Sequence, residues 1–395
     1  MQVGQFTDTL LPIVDGVGRV VYQYATLLAE KGTESYVIAP MQEVEYRGGL
    51  SFELIEYAGK RVSFLPQYKA GFPAFDRHYK KRMKNISLDL IHVHAPFSSG
   101  LEGARLAKKM GIPLVGTFHS KYYDDFLYIG KRKWLAELGI KYVVKFYNRC
   151  DEVWTMNEAS AETLREYGYQ KKITIVPHGI VQKPLNRAKI ASVYHKYYLG
   201  SDVPILLFVG QLHFKKNIPL ILEACALCQK ENVPFQLVFA GKGPHQEKIE
   251  ALARSLSLSE HIRFTGHIYD EEELTILYHE ASLFVFPSLY DTFGLVVQEA
   301  ALQGTPSVVI KNSAAASAIE DSENGFLCEN SAASLAHAIK AALTSDSLEN
   351  IGINAQTTIP HAWDAIIDTV LENYSRITKK ENAIAEENSV REEVT

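Results

Sequence analysis

Short apolar runs of strand type alternate with segments of helical period along nearly the whole chain. The first cycle has an apolar run at residues 2–6, a helical face over residues 17–28 that Gly32 ends, and a second apolar run at residues 35–39. This alternation predicts an α/β chain in which parallel sheets are covered by helices. Ligands bind beyond the carboxyl ends of the strands in such sheets, so the informative residues are expected in the turns from strand to helix.

A polar passage without periodicity, residues 181–203, interrupts the alternation, which restarts at residues 204–209. A chain of 395 residues also exceeds one ordinary hydrophobic core. We therefore predict two doubly wound, Rossmann-like domains, at residues 1–182 and 203–361. The last segment is dominated by Glu, Asn, Lys and Ser, which predicts a disordered tail over residues 378–395.

The sequence shows no sign of export or of a disulfide framework. It lacks a cationic start followed by an apolar run, and no apolar stretch approaches the roughly 18 to 20 residues that span a bilayer, so we expect a cytoplasmic protein. The four cysteines are too few and too scattered for a disulfide framework. Cys225 and Cys228 lie within a helical pattern without a second pair, which favours buried helix residues over metal ligands.

Charge is distributed unevenly along the chain. Residues 1–200 carry 28 Lys and Arg against 19 Asp and Glu, whereas the remainder carries 13 against 27. A basic first half favours an anionic acceptor or an anionic membrane surface there, although ordinary variation among solvated helix faces explains the numbers equally well. Nucleic acid is not an expected partner, because the basic clusters lack a recognition module and the second half is acidic.

The first strand is followed by a glycine-containing turn, residues 11–18. Gly16 and Gly18 would allow a phosphate to approach the backbone at the start of the next helix. Glycine at such a position more often serves the turn itself. The turn is therefore weak evidence on its own.

The turn after the strand at residues 204–209 places Lys215 and Lys216 at the start of a helix, close behind Gln211. Lysine is unfavourable beside the positive end of a helix dipole unless an anion binds there. An ammonium group beside helix amides would stabilise a diphosphate leaving group as its charge develops. A solvated lysine pair is the alternative interpretation.

The richest turn is the segment over residues 287–300, in which Asp291 and Glu299 lie eight positions apart. We predict a helix beginning near Thr292 or Phe293. Asp291 would then face sugar hydroxyls while Glu299 accepts hydrogen bonds from a ribose, with free backbone amides between them for phosphate. Two further glycine turns precede it, Ala240-Gly-Lys-Gly-Pro244 and Phe264-Thr-Gly-His-Ile268.

In this order, the motifs G-x-L-x-x-x-K-N, A-G-x-G-P, F-x-G and P-S-x-x-(acid)-x-F-G-x-x-x-x-E-A resemble the donor-binding domain of family 4 retaining glycosyltransferases. Residues 15–18, 117–119 and 176–179 match the first domain of that family. Trp363 and Tyr374 resemble its last helices, which at residues 362–377 would complete the first domain. The resemblance implies the GT-B fold, with two Rossmann-like domains facing across a deep cleft.

The resemblance also implies roles for individual residues. Three would be catalytic: His119 touching the donor sugar, Lys216 on the diphosphate and Asp291 on sugar hydroxyls. The remainder would bind the donor, with Glu299 on the ribose and the backbone of Ile268 at the nucleobase: Gly16, Gly18, Gln211, Lys215, Ile268, Phe293, Gly294, Leu295 and Glu299. His92 and His94 are expected to be structural or to lie at the rim.

Three departures from the family pattern bear on the donor. Gln211 stands where the family usually has arginine, so Lys216, helped by Lys215, must supply more of the positive charge. Asp291 replaces a longer glutamate, which changes its reach. The usual glycine pair before Glu320 is replaced by residues 312–317.

The implied activity is metal-independent transfer, with retention, of a hexosyl unit from a UDP- or GDP-sugar to a hydroxyl acceptor in glycolipid, polysaccharide or glycoconjugate synthesis. No cofactor is expected beyond the nucleotide-sugar co-substrate. A nucleotide-sugar epimerase would convert the donor without an acceptor. A binding protein with a decayed site would bind nucleotide without releasing sugar.

The acceptor is the most open part of the prediction. Residues 131–149 combine basic and aromatic residues in an amphipathic helical pattern, and Arg77 to Lys84 form a second cationic cluster. Peripheral docking on the inner face of the cell membrane would explain both, and would favour a lipid-linked acceptor. An interior-facing helix with a basic solvated side is the alternative.

Overall fold

A computed structural model describes residues 1–10, 16–40, 49–62 and 65–393. The chain divides into two compact units. One is formed by Met1–His178 together with Trp363–Thr395, and the other by Gly179–Ala362. Each unit contains its own parallel sheet with helices around it, which confirms the predicted α/β class.

The N-terminal unit contains a seven-stranded parallel sheet with the order β3-β2-β1-β6-β7-β8-β9. Strands β4 and β5 form a separate antiparallel pair that is not part of this sheet. The strands are β1 (Gln2–Phe6), β2 (Glu34–Pro40), β3 (Glu53–Tyr57), β4 (Gly59–Val62), β5 (Leu65–Gly71), β6 (Leu90–Val93), β7 (Leu114–Thr117), β8 (Glu152–Thr155) and β9 (Ile173–Ile175). The helices are α1 (Gly16–Glu30), α2 (Arg77–Met83), α3 (Ser98–Met110), α4 (Tyr122–Gly130), α5 (Lys133–Tyr147) and α6 (Glu158–Glu166).

The C-terminal unit contains a six-stranded parallel sheet with the order β12-β11-β10-β13-β14-β15. Its strands are β10 (Ile205–Val209), β11 (Gln236–Ala240), β12 (Ile262–Gly266), β13 (Leu283–Phe286), β14 (Ser307–Ile310) and β15 (Phe326–Cys328). Its helices are α7 (Ile190–Tyr197), α8 (Ile218–Lys230), α9 (Gln246–Ser255), α10 (Glu271–Glu280), α11 (Leu295–Leu302), α12 (Ala332–Leu343) and α13 (Leu348–Thr358).

The central strands are buried on both faces, as the near-continuous apolar runs predict. Every residue of β6 and of β13 is buried. Cys225 and Cys228 are free thiols buried on α8, in agreement with the sequence interpretation. Among the described residues, no helix combines the length and the apolar character required to cross a membrane.

The passage interpreted as a linker instead contains α7, which belongs to the C-terminal unit. Val193 is buried, and Ile190, Tyr194 and Tyr197 pack against the core of that unit. Their i, i+3, i+4, i+7 spacing marks one helix face. The apolar stripe was therefore present in the sequence, within a mostly polar segment.

The last helix, α14 (Trp363–Glu393), returns to the N-terminal unit. Trp363, Ile367, Val370 and Tyr374 anchor its first turns in a core shared with α1 and the sheet. The helix is described as far as Glu393, and the disorder expected over residues 378–395 stays a prediction. The Glu, Lys and Ala residues of this segment are strong helix formers, so an anchored helix can extend through them.

Candidate active site

The strand order of the C-terminal sheet reverses between β10 and β13. A reversal of this kind leaves a crevice at the carboxyl ends of the two strands, where open α/β sheets bind their ligands. The segment with Lys216 follows β10, and the segment with Asp291 follows β13. The fold thus brings the turn with Lys216 and the turn with Asp291 to the same edge of one sheet.

Glycines allow the loops after β10 and β11 to pack against each other. Gly241 has a φ of +144°, and a Cβ atom there would lie 1.9 Å from the carbonyl oxygen of Gly210. A Cβ atom on Gly243 would lie 2.3 Å from the carbonyl oxygen of Leu212, whose amide donates to the carbonyl of Lys242 at 3.1 Å. The glycines of A-G-x-G-P therefore allow the loop after β11 to pack closely against the loop after β10.

Lys215 and Lys216 lie in a short 3-10 turn, Phe214–Lys216, ahead of α8 rather than in its first turn. The ring of His213 accepts a hydrogen bond from the Lys215 amide at 3.0 Å and so caps the turn. Burial, followed by the nearby charges of His245 and the two lysines, lowers the pKa of His213. Because the His213 ring is neutral, the positive charge of this turn lies on Lys215 and Lys216.

Lys216 and Asp291 are in direct contact. The Lys216 ammonium donates to Asp291 Oδ1 at 2.5 Å, and the Ser288 hydroxyl donates to Oδ2. The two charged side chains are only 16% and 23% exposed, so this pair is less screened than a surface salt bridge. The structure thus joins two of the predicted catalytic residues.

An aromatic ring lies beside both lysine ammonium groups. The centroid of the Tyr290 ring is 4.5 Å from Lys215 Nζ and 5.7 Å from Lys216 Nζ. The negative face of such a ring stabilises nearby cations. Lys215 is therefore held close to Lys216, at the site where Gln211, which is exposed after β10, supplies no charge.

Helix α11 begins at Leu295, two to three residues later than predicted. Gly294 precedes it in the left-handed conformation with a φ of +75°. A Cβ atom on Gly294 would lie 3.1 Å from Ala315 Cβ. The segment that replaces the family's glycine pair therefore packs against the start of α11, next to Phe293.

Glu299 lies in the second turn of α11 and is half-buried. The hydroxyl of Tyr278, a buried residue of α10, donates to Glu299 Oε2 at 2.9 Å. Tyr278 was not among the predicted site residues, because α10 carries no recognised motif. Ile268, which follows β12, is also half-buried.

His119 follows β7 in the N-terminal unit and is buried. Its Nε2 lies 3.0 Å from Nδ1 of His94, and its ring stacks on that of His178 with centroids 5.3 Å apart. Burial lowers the pKa of His92, His94 and His119 well below the usual range, and that of His178 to about 3. These rings are therefore neutral at physiological pH.

The first predicted turn lies only partly within the described residues, because residues 11–15 fall outside them. Gly16 and Gly18 form the start of α1, with Gly16 exposed and Gly18 buried. Within residues 1–10, 16–40, 49–62 and 65–393, no group of three or more His, Cys, Asp or Glu side chains is placed to hold a metal ion.

Most of the chain matches two glycosyltransferase families. Residues 14–182 match the family described as Glycosyltransferase Family 4, and residues 195–358 match the family described as Glycosyl transferases group 1. The chain is 28% identical to alpha-monoglucosyldiacylglycerol synthase from Streptococcus pneumoniae over 343 residues, which cover 83% of this chain and 75% of that protein. It is 25% identical to the protein of the same name from Acholeplasma laidlawii, over 96% of this chain and 100% of that protein.

Solved structures share the architecture at low sequence identity. Sucrose-phosphate synthase from Thermosynechococcus elongatus matches with a TM-score of 0.79 at 20% identity, over 96% of this chain and 100% of that chain. Anabaena HepE, solved in complex with UDP and glucose, matches with a TM-score of 0.73 at 18% identity, over 95% and 100%. At these identities the likeness shows the fold.

Proposed function

This chain belongs to the family 4 glycosyltransferases with the GT-B fold, and from this premise we propose its reaction. It transfers a hexosyl unit from a UDP- or GDP-sugar to a lipid hydroxyl, with retention of the anomeric configuration. The observation that carries the proposal is the meeting of Lys216 and Asp291 at the switch point of the C-terminal sheet. Both lipid relatives are named synthases, which favours transfer over the epimerase and the decayed binding protein.

Lys216 is the residue that binds the leaving group in this proposal. Its ammonium group already has an anionic partner in Asp291, and the donor diphosphate would take or share that position. Electrostatic stabilisation of charge that develops in the transition state is the largest catalytic contribution such a side chain can make. Lys215, held over Tyr290, would add the second positive charge that Gln211 does not provide.

Most of the remaining donor contacts would come from residues that follow strands of the C-terminal unit. The amides at Phe293, Gly294 and Leu295 would bind phosphate oxygens at the start of α11. Glu299 would accept hydrogen bonds from the ribose, oriented by Tyr278. The backbone at Ile268 would meet the nucleobase, Asp291 would bind sugar hydroxyls once Lys216 is shared, and His119 would touch the donor sugar.

The anomeric configuration is retained if the acceptor hydroxyl attacks the sugar from the same face from which the diphosphate leaves. The bond from the anomeric carbon to the phosphate oxygen breaks, the bond to the acceptor oxygen forms, and the acceptor proton passes to the departing phosphate oxygen. No separate base is needed for this route. We propose that transfer uses neither a metal ion nor a cofactor besides the nucleotide-sugar.

The proposed lipid acceptor rests on the surface of the N-terminal unit as well as on the relatives. Helix α5 buries Ala136, Ile140, Val143, Phe146 and Tyr147, yet its opposite side exposes large apolar residues among Lys133, Lys141 and Lys145. We call the exposed apolar residues of α4 and α5 the α4–α5 surface: Tyr128, Ile129, Trp134, Leu135, Leu138 and Tyr142.

Near α2, exposed aromatic residues again lie beside basic ones. Phe75 is 85% exposed and lies two residues before Arg77, which is exposed together with Lys80 and Lys81. Aromatic and aliphatic side chains interleaved with lysines are typical of surfaces that insert at an anionic bilayer. The buried face of α5 also fits the alternative, an interior-facing helix with a basic solvated side, but Trp134 and Leu138, both 53% exposed, support docking.

The direct test of the proposed reaction is a screen of nucleotide-sugars by thermal shift, followed by release of nucleoside diphosphate with diacylglycerol in mixed vesicles. We expect one UDP- or GDP-sugar to stabilise the protein and to release diphosphate only when the lipid is present. The anomer of the product, determined by NMR, should match the donor, and a chelator should leave the rate unchanged. Conversion of the donor without acceptor would instead identify an epimerase.

Membrane docking is tested by sedimentation with vesicles of phosphatidylglycerol or phosphatidylcholine. We expect binding to phosphatidylglycerol, weakened about tenfold or more in the double variant Trp134→Ser, Leu138→Ser, because burial of two large apolar side chains is lost. Tyr198→Ser, which removes an aromatic residue 77% exposed on the C-terminal unit, is the matched control and should bind as the wild type does. Binding that does not depend on anionic lipid would refute the docking surface.

A further inference from the structure

A continuous chain of hydrogen bonds runs through the core of the N-terminal unit and ends at His119. Its members come from β1, β6, β7 and α14 and from the residues that directly follow β6 and β7. All of them are buried, so their neighbours rather than water determine where each proton lies. In order, they are Thr117, His92, Tyr374, Gln5, His94 and His119.

The five contacts are short enough to be hydrogen bonds. They join Thr117 Oγ1 to His92 Nε2 at 2.7 Å, His92 Nδ1 to Tyr374 Oη at 2.6 Å, Tyr374 Oη to Gln5 Nε2 at 3.0 Å, Gln5 Oε1 to His94 Nε2 at 2.7 Å, and His94 Nδ1 to His119 Nε2 at 3.0 Å.

The side-chain amide of Gln5 sets the direction of donation toward His119. Its Oε1 atom can only accept, so His94 carries its proton on Nε2. His94 is neutral because burial lowers its pKa, and its Nδ1 therefore has a lone pair. His119 must then donate to it from Nε2.

In the other half of the hydrogen-bond chain, the donations run in the same direction. Gln5 Nε2 donates to the Tyr374 hydroxyl, which is then left to donate its own proton to His92 Nδ1. His92 accordingly carries its proton on Nε2 and donates to Thr117. Every donation thus runs from His119 toward Thr117, and the five bonds are mutually consistent.

We propose that this chain holds His119 as a neutral ring protonated on Nε2, with Nδ1 as its acceptor nitrogen, and that Gln5 and Tyr374 are positioning residues for it. The functional part rests on the proposed role of His119 at the donor sugar. Positive charge develops on the sugar as the leaving group departs. A ring fixed in this form adds no opposing charge, and it can accept but not donate at Nδ1.

Removal of the Tyr374 hydroxyl would break the hydrogen-bond chain with the smallest change in side-chain shape. Without its hydroxyl, the Gln5 amide nitrogen loses its acceptor, and the amide can rotate to present nitrogen to His94. That rotation would place the His94 proton on Nδ1 and reverse the His119 tautomer as well. The stack of the residue 374 ring on Trp154, with centroids 5.4 Å apart, is kept in Tyr374→Phe.

The test is histidine ¹⁵N NMR on the full chain without ligand, with resonances assigned through His92→Gln, His94→Gln and His119→Gln. We expect all three rings to be neutral and protonated on Nε2 from about pH 6 to 8. A proton on Nδ1 of His94 or His119, or titration of either ring in that range, would overturn the proposal. Because this measurement needs no donor, its failure is distinct from failure of the transferase function.

Tyr374→Phe tests the positioning role. We expect mixed tautomers at His94 and His119 and a kcat about tenfold lower, with the donor KM within about twofold of the wild type. Tyr24→Phe is the matched control, since Tyr24 is equally buried and packs edge-on against the rings of His92 and His94. It should keep the wild-type tautomers and kcat. Wild-type spectra and kcat in Tyr374→Phe would remove Tyr374 from the role.

Discussion

Replacement of Lys216 by alanine is expected to lower kcat by about 10² to 10³-fold, because one donor aimed at developing charge contributes on that scale. The measurement is release of nucleoside diphosphate at saturating donor and acceptor. The thermal stability should fall only modestly, since Asp291 is 23% exposed and keeps its hydrogen bond from Ser288. Loss of turnover without loss of the fold would therefore report on the chemistry.

Lys230→Ala is the matched control for this variant, because Lys230 is an exposed lysine at the opposite end of α8. It should retain full activity. The ion pair adds a second criterion through a double-mutant cycle with Asp291→Ala. If Asp291 acts partly by holding Lys216, the two substitutions together should cost less than the sum of each alone. Wild-type turnover in Lys216→Ala would exclude the proposed role of this lysine.

Glu299→Ala is expected to raise the dissociation constant of the nucleoside diphosphate by about 10 to 100-fold, because hydrogen bonds to a charged group contribute about 1.5 to 3 kcal/mol. The kcat at saturating donor should stay within a few-fold of the wild type, since the ribose is remote from the reacting bond. Isothermal titration calorimetry and a donor titration of turnover measure the two quantities separately.

A 2′-deoxy nucleotide makes the Glu299 prediction sharper. The wild type should bind the deoxy nucleotide more weakly than the ribonucleotide, whereas Glu299→Ala should bind the two nearly alike. Glu223→Ala, which removes an exposed carboxylate on α8, is the control and should discriminate as the wild type does. Discrimination that survives in Glu299→Ala would place the ribose elsewhere.

Residues 181–203 show where interpretation of the sequence was less complete. Their low apolar content indicated an irregular linker, but α7 needs only one apolar stripe to pack against the core of its unit. Hydropathy averaged over the segment does not register such a stripe. The start of α11 was also placed too early, because Gly294 in the left-handed conformation delays the first helical turn.

The sequence by itself determined the α/β class, the family and the segments with candidate donor-site residues, because strand and helix periods and short motifs are local properties of the chain. Only the tertiary structure decided which side chains meet. Asp291 is 75 positions from Lys216, Tyr278 is 21 from Glu299, and Tyr374 is 282 from His92. Such partners come together through the order of strands in a sheet and the packing of the terminal helix, and no local pattern specifies which side chains then meet.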